Sequence, residues 1–350
     1  MRLKDFWAEL TLIPILLLGL ALRLQQIGRP LNIDEITTSL ISNHTSAYIV
    51  QYSLNCDSNP PLYYLFAQES TIILGAYSSF SIRLPSLIFG LLVIPLLYLI
   101  GKEIKNKTLG LLLASMVSIV YTICWYSTEA RAYSLVFFAF AGAIYFFIRI
   151  FKGDKSQKCI FGLSFFAALC LWSHFYSALP LLIIGIILID RDRALALRSI
   201  LYTGIMLIPM AILFNYAQFR TRTIGNFGNP FWPSWYYLVQ WIPNELFGLS
   251  WVLIFPLIAY AIYRYKDNLL LVYFALIGGI TAIEIIPLSL VTNISQRYAL
   301  LISPLLLAVA FYPVSEWIDK QSTVCRKAGL FIIVMAVFFV INLGSTTPWV

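Results

Sequence analysis

Long apolar runs separated by short polar connections dominate this 350-residue chain. They fall at about 7–22, 84–100, 109–126, 133–150, 160–175, 177–189, 199–217, 246–263, 268–290, 298–315 and 328–343. A helix needs roughly 20 mainly apolar residues to cross the hydrocarbon of a bilayer. The pattern therefore predicts an all-α polytopic membrane protein with about 11 transmembrane helices.

One stretch departs from the pattern. Residues 61–78 carry Gln68, Glu69, Ser70 and Thr71 in succession, a composition ill suited to hydrocarbon. Basic residues decide how this stretch lies. Suppose that it stays at the interface and that the chain starts on the cytoplasmic side. Lys102, Lys105 and Lys107, then Lys152, Lys155 and Lys158, then Arg191, Arg193 and Arg198, then Arg264 and Lys266, and finally Lys320, Arg326 and Lys327 all fall inside, as does Lys4. The outer side keeps only arginines: Arg23, Arg29, Arg83, Arg131, Arg220, Arg222 and Arg297. Lysine-rich inner loops are the usual orientation signal, and a crossing at 61–78 would invert every later loop. The expectation is a multi-pass plasma-membrane protein with a cytoplasmic N-terminus, an external C-terminus and a surface or re-entrant helix over 61–78.

Composition agrees. With 60% hydrophobic and 11% charged residues and a mean hydropathy of +0.82, the chain is far from the quarter-charged balance of soluble domains. The net charge of +8 is dispersed over the connections. It anchors loops and does not form a nucleic-acid surface. Five cysteines at positions 56, 124, 159, 170 and 325 show no CxxC spacing, so neither a thiolate metal site nor a disulfide framework is indicated. Residues 1–350 read as a single transmembrane domain with no separate soluble domain, and the N-terminal apolar run as a retained span.

The first external loop, 28–83, is the first sizeable polar segment and is predicted to hold two surface helices. Asn32 and Glu35 fit a capping box, and Ile33, Ile36, Leu40, Ile41, Ala47 and Tyr48 recur at helical spacing, which predicts an amphipathic helix over 33–54. A second helix is predicted over 60–78, with Asn59 as its N-cap and Pro60 at its first position. A later external loop, 218–245, is rich in aromatics, Pro and Gly and reads as a flap.

In this topology the unusual polar residues gather on the outer face. They are Asp34, Glu35, Asp57, Asn59, Glu69, Glu129, Arg131, Tyr133, His174, Arg220, Arg222, Glu245, Gln296 and Arg297, delivered by six connections. Each has a bland alternative. Glu35 either completes a helix cap or meets substrate. Asp34 is not needed for the cap. At a helix N-terminus its negative charge is stabilised, which suits an acceptor for a hydroxyl or a metal ligand better than a strong base. Arg131 either pairs locally with Glu129 or binds phosphate through its planar donor fork. His174 is either an interfacial hydrogen-bonding group or a ligand. Arg297 either snorkels to headgroups or binds phosphate. Glu284 lies inside an apolar run with no partner assigned. A transporter or flippase would show internal repeats and charges at mid-depth, and remains the alternative class.

The motif order resembles the GT-C glycosyltransferases that use polyprenyl-phosphate sugars, in the protein-O-mannosyltransferase-like branch with its RgtA/B/C/D-like members. The matching pieces are Asp34-Glu35; Asn59-Pro60-Pro61-Leu62-Tyr63-Tyr64; Arg83-Leu84-Pro85-Ser86 with Phe89-Gly90; Glu129-Ala130-Arg131-Ala132-Tyr133-Ser134; Ser173-His174-Phe175; and Arg297-Tyr298 with Pro304. They span about 28–304. The resemblance implies a GT-C-like fold, an external active site and transfer of a hexosyl or pentosyl group, with inversion, from a polyprenyl-phosphate-linked donor to a hydroxyl on a lipid, glycan or protein acceptor. It implies Asp34 as the catalytic carboxylate. The residues themselves add Glu35 beside it as a second catalytic or pocket-shaping carboxylate, Arg131 and Arg297 as the candidates for the donor phosphate, and Asn59, Tyr63, Glu129, Tyr133 and His174 as pocket or metal-binding residues. No cofactor is fixed. A divalent cation is a candidate, weakened by Asn59 standing where many relatives have histidine before the two prolines.

Overall fold

The computed structural model describes residues 7–55, 59–216, 243–244, 246–291 and 300–343. Among them there are helices and no strand. In chain order they are α1 (Trp7–Ile27), α2 (Ile33–Ser42), α3 (Ser46–Asn55), α4 (Leu62–Leu74), α5 (Ser79–Ile104), α6 (Lys107–Ile119), α7 (Tyr121–Tyr126), α8 (Tyr133–Phe151), α9 (Gln157–Ser173), α10 (Ala178–Arg191), α11 (Arg193–Tyr216), α12 (Trp251–Arg264), α13 (Leu269–Val291), α14 (Ser303–Asp319) and α15 (Val324–Leu343). Every apolar run of the sequence coincides, wholly or in part, with one of these helices. Among the described residues six helical stretches are long and apolar enough to cross a membrane, and shorter apolar helices accompany them at 107–119, 157–173, 248–264 and 269–283.

The centre of the bundle is α5 with α6 and α8 against it, and α9 against α8. Small residues let α5 and α6 approach. A Cβ on Gly101 would stand 2.6 Å from the backbone of Gly110, and one on Gly110 would meet the carbonyl of Tyr98 at 2.5 Å. Such contacts replace the hydrophobic drive that lipid-facing helices lack.

Polar contacts cluster at two opposite ends. At one, Glu9 meets Lys102 at 3.6 Å and Lys107 at 3.1 Å, Lys155 meets Asp192 at 2.6 Å, and Asp319 accepts from Asn106 and Thr108 at 2.7 Å each. This is the lysine-bearing end that the loop charges predict. At the other end lie α2, α3, α4 and the 127–132 connection.

The sequence pattern misplaces three boundaries. The surface helix expected over 33–54 is two helices, because Asn43 closes α2 and the Thr45 hydroxyl accepts from the Tyr48 N–H at 3.4 Å to open α3. The helix expected over 60–78 starts at Leu62, with Pro61 at its cap and no side-chain cap bond. A proline disfavours the helical conformation of the residue before it, so the Asn59-Pro60-Pro61 run delays the start past both prolines. Gly75, with φ of 61°, closes this helix at Leu74.

The third correction concerns 109–126, which reads as one span and is broken at Val120 into α6 and α7. A break leaves carbonyls on one side and N–H groups on the other without helical partners. Distant side chains take both. Arg23 on α1, fully buried, donates to the carbonyl of Val117 at 3.0 Å and of Ser118 at 3.5 Å. Asn342 on α15 accepts from the Tyr121 N–H at 3.0 Å and donates to Ser250 Oγ at 2.7 Å. The short α7 then turns the chain into the 127–132 connection.

Replacing Asn342 by leucine strands the half-buried Tyr121 N–H, a loss of about 1–3 kcal/mol. A lower midpoint of thermal unfolding in detergent is expected for N342L, and an unchanged midpoint would show that the break holds without this residue.

Candidate active site

The site is built on one buried ion pair. Arg83 lies in the second turn of α5, whose start is fixed by a Ser78–Ser81 capping box. Its side chain is fully buried. Five N–H groups leave the guanidinium and five acceptors meet them. Nε donates to Glu35 Oε1 at 2.7 Å, and Nη2 donates to Glu35 Oε2 at 2.6 Å and to the Pro30 carbonyl at 3.0 Å. Nη1 donates to the carbonyls of Ile27 at 2.7 Å and Arg29 at 2.6 Å. Thus a residue just before the 84–100 apolar run folds the end of α1 and the start of α2 onto the bundle.

Glu35 is equally saturated. Besides Arg83 it accepts from the Asn32 N–H at 3.1 Å, completing the capping box, and from the Ala130 N–H at 2.9 Å. Burial alone would raise its pKa. The Arg83 hydrogen bonds and charge, with the Ala130 and Asn32 amides, outweigh burial and lower it. A buried carboxylate with four donors has no lone pair left for a substrate proton. Glu35, expected beside Asp34 as catalytic, thus stands as a buried ion-pair partner whose acceptors are spent on Arg83 and two backbone amides.

Asp34 is the next residue round α2, about 100° away, and is half-buried where Glu35 is fully buried. Its helix is clipped to the 127–132 connection at two points: Ala130 N–H to Glu35, and Asn32 Nδ2 to Glu129 Oε1 at 3.0 Å. Arg131 follows directly, half-buried, with Nη1 donating to the Tyr64 hydroxyl at 2.9 Å. So α2, α4 and the connection bring the segments of Asp34, Glu129, Arg131 and Tyr64 together.

A second layer supports them. The Ser86 hydroxyl donates to the carbonyl of Glu129 at 2.6 Å, and Tyr63, buried on α4, lies 2.7 Å from Ser86 Oγ. Burial pushes the Tyr63 phenol well above its ordinary pKa, so it stays a neutral hydrogen-bonding prop. Gly90 lets α5 meet the connection, since a Cβ there would stand 2.4 Å from that of Ser127. Arg29 lies with its guanidinium 4.0 Å from the centre of the Trp125 ring and donates to Thr128 Oγ1 at 2.7 Å. Tyr133 starts α8, buried, with its ring edge-on to Tyr126 at 5.2 Å.

Asn59 is buried beside the two prolines. His174 caps the end of α9, and its Nδ1 accepts from the Tyr176 N–H at 3.2 Å, which places the proton of the neutral ring on Nε2. Among the described residues no three His, Cys, Asp or Glu side chains form a metal-holding group. Arg297, residues 218–242 and 245 of the flap with Arg220, Arg222 and Glu245, and Cys56, Asp57 and Gln296 lie outside the described residues, as does the side chain of Glu284. Arg83, Ser86 and Tyr64 stood in the quoted motifs without a role. A charged residue immediately before an apolar run was the signal that could have found Arg83.

Residues 58–217 match the family model described as dolichyl-phosphate-mannose-protein mannosyltransferase. No curated protein matches the chain in sequence. The fold is similar to that of the archaeal oligosaccharyltransferase AglB from Archaeoglobus fulgidus, solved with an inhibitory peptide and a dolichol-phosphate, with a TM-score of 0.68 at 13% identity over 99% of this chain and 56% of that one. ArnT from Cupriavidus metallidurans in the apo state gives 0.66 at 17% identity over 96% and 63%, and ArnT bound to undecaprenyl phosphate gives 0.62 at 18% over 95% and 63%. The chain spans less than two thirds of the length of these structures. It shares the fold of these structures.

Removing one partner of a buried pair costs about 3–5 kcal/mol, so E35Q is expected to lower the unfolding midpoint in detergent strongly. R83K should do so too, because lysine keeps the charge but not the five-donor fork. Because the folded pKa of Glu35 is depressed, its contribution is complete above the ordinary value of 4.5 and lost as pH falls through the folded value. The wild-type midpoint should therefore drop below that pH more steeply than that of E35Q; parallel curves would contradict the assignment.

Proposed function

We propose that the chain is an integral membrane glycosyltransferase that moves a sugar from a polyprenyl-phosphate-linked donor to an acceptor hydroxyl. The observation that carries this reading is the double clip of α2 to the 127–132 connection, which joins the segment of a half-buried carboxylate, Asp34, to that of a tethered guanidinium, Arg131. Both the family match over 58–217 and the fold shared with enzymes solved with dolichol-phosphate or undecaprenyl phosphate support it.

A polyprenyl phosphate is already a good leaving group, so catalysis reduces to placing the hydroxyl and meeting the phosphate's growing charge. In this reading Asp34 orients the acceptor hydroxyl and takes its proton. The hydroxyl oxygen attacks the anomeric carbon as the bond from that carbon to the phosphate oxygen breaks, with inversion. Arg131 and Arg297 meet the phosphate, and Glu129, Tyr133, Asn59 and His174 shape the pocket. The lysine-bearing end faces the cytoplasm and the site faces outside, as the loop charges require. The N-terminus is then cytoplasmic and the C-terminus external.

Purified protein offered a panel of polyprenyl-phosphate sugars should release polyprenyl phosphate from one of them. D34N should slow release by on the order of 10²–10⁴-fold, the usual worth of a positioned proton acceptor. Full activity in D34N would remove Asp34 from this role, and failure of every donor would overturn the reading itself.

A further inference from the structure

The lysine-bearing end, opposite the site just described, holds a second built feature. Between α12 and α14 lies a cavity of about 430 Å³, within the size range of small-ligand sites. Its inner wall is apolar, formed by Leu257, Pro313 and Val314, and its rim carries Arg264 and Lys320. Tyr260 and Trp317 flank it, each about half exposed at 53% and 51%. Aromatic rings at the ends of membrane-crossing helices are characteristic of the headgroup level.

The one acid in the lining is already engaged. Glu316 accepts from Lys320 at 2.7 Å and from the Tyr265 hydroxyl at 2.5 Å. Asp319, on the same helix, accepts from Asn106 and Thr108. Lys105 approaches from α5, with Nζ 2.9 Å from Ser315 Oγ. Arg264 stands exposed at the end of α12, its guanidinium 5.5 Å from the Tyr265 ring centre. The mouth therefore presents Arg264 and a Lys320–Glu316 ion pair, a net single positive charge, above an apolar floor.

We propose that this cavity binds one anionic phospholipid, its phosphate held by Arg264 and Lys320 and the start of its acyl chains lying on Leu257 and the Tyr260 ring. Arginine's donor fork matches a phosphate, and basic pockets between membrane helices take anionic headgroups. The excess of positive charge selects an anionic lipid over a zwitterionic one, and the apolar wall selects a lipid over free phosphate. The site is independent of the proposed transferase reaction.

The test uses the full chain in nanodiscs of phosphatidylethanolamine and phosphatidylglycerol, released and weighed by native mass spectrometry. Wild type should retain one phosphatidylglycerol. R264Q, which leaves the Lys320–Glu316 pair intact, should lower the retained fraction by roughly fivefold, and R264Q/K320Q further, since each cation near an anionic headgroup is worth a factor of that order. K158Q, an exposed lysine elsewhere at the same end, should retain it. Equal retention of phosphatidylethanolamine, undiminished retention in R264Q, equal loss in K158Q, or displacement by millimolar inorganic phosphate would each overturn the proposal.

Discussion

The arrangement depends on the pairing of Glu35 with Arg83 in a place where neither can reach water. Such a pair adds little net stability relative to an apolar substitute, but it permits one geometry and penalises others heavily. Here the geometry is informative. Three of the five Arg83 donors go to backbone carbonyls at Ile27, Arg29 and Pro30, and two acceptor positions of Glu35 go to backbone amides at Asn32 and Ala130. The pair is a staple joining the end of α1, the start of α2, the start of α5 and the 127–132 connection. Asp34 and Arg131, each next to a stapled residue, inherit their placement from it.

The connection also needs support from behind, and the break at Val120 provides it. An uninterrupted helix over 109–126 would aim residues 127–132 along its own axis. Breaking it costs hydrogen bonds, which Arg23 and Asn342 replace from α1 and α15. Helices distant in sequence thereby hold the α7 turn, and Arg29 on Trp125 with Gly90 against Ser127 fixes its far side. Fold and site are coupled at this point.

Periodicity and charge made much of this legible. The apolar runs all fall on helices, Asn32 and Glu35 form the capping box that their spacing implies, and the described lysines that make ion pairs lie at one end. What was not legible depends on tertiary partners. Glu35 looks like an equal of Asp34 until Arg83, 48 residues later, is seen to use up its acceptors. The Val120 break has no proline or glycine to announce it, because its compensation comes from residues 94 and 221 positions away. The late start of α4 was readable in principle from the two prolines, since each restricts the residue before it.

A double-mutant cycle on the staple tests the central claim most directly. The unfolding free energy would be measured in detergent for wild type, E35Q, R83M and E35Q/R83M. If the two side chains act as one unit, the double variant loses less than the sum of the single losses, by a coupling of about 0.5–3 kcal/mol, and toward the upper end for a pair this buried. Losses that add to within about 0.5 kcal/mol would mean that Glu35 and Arg83 hold their neighbours separately, contradicting the account of how Asp34 and Arg131 come to share a site.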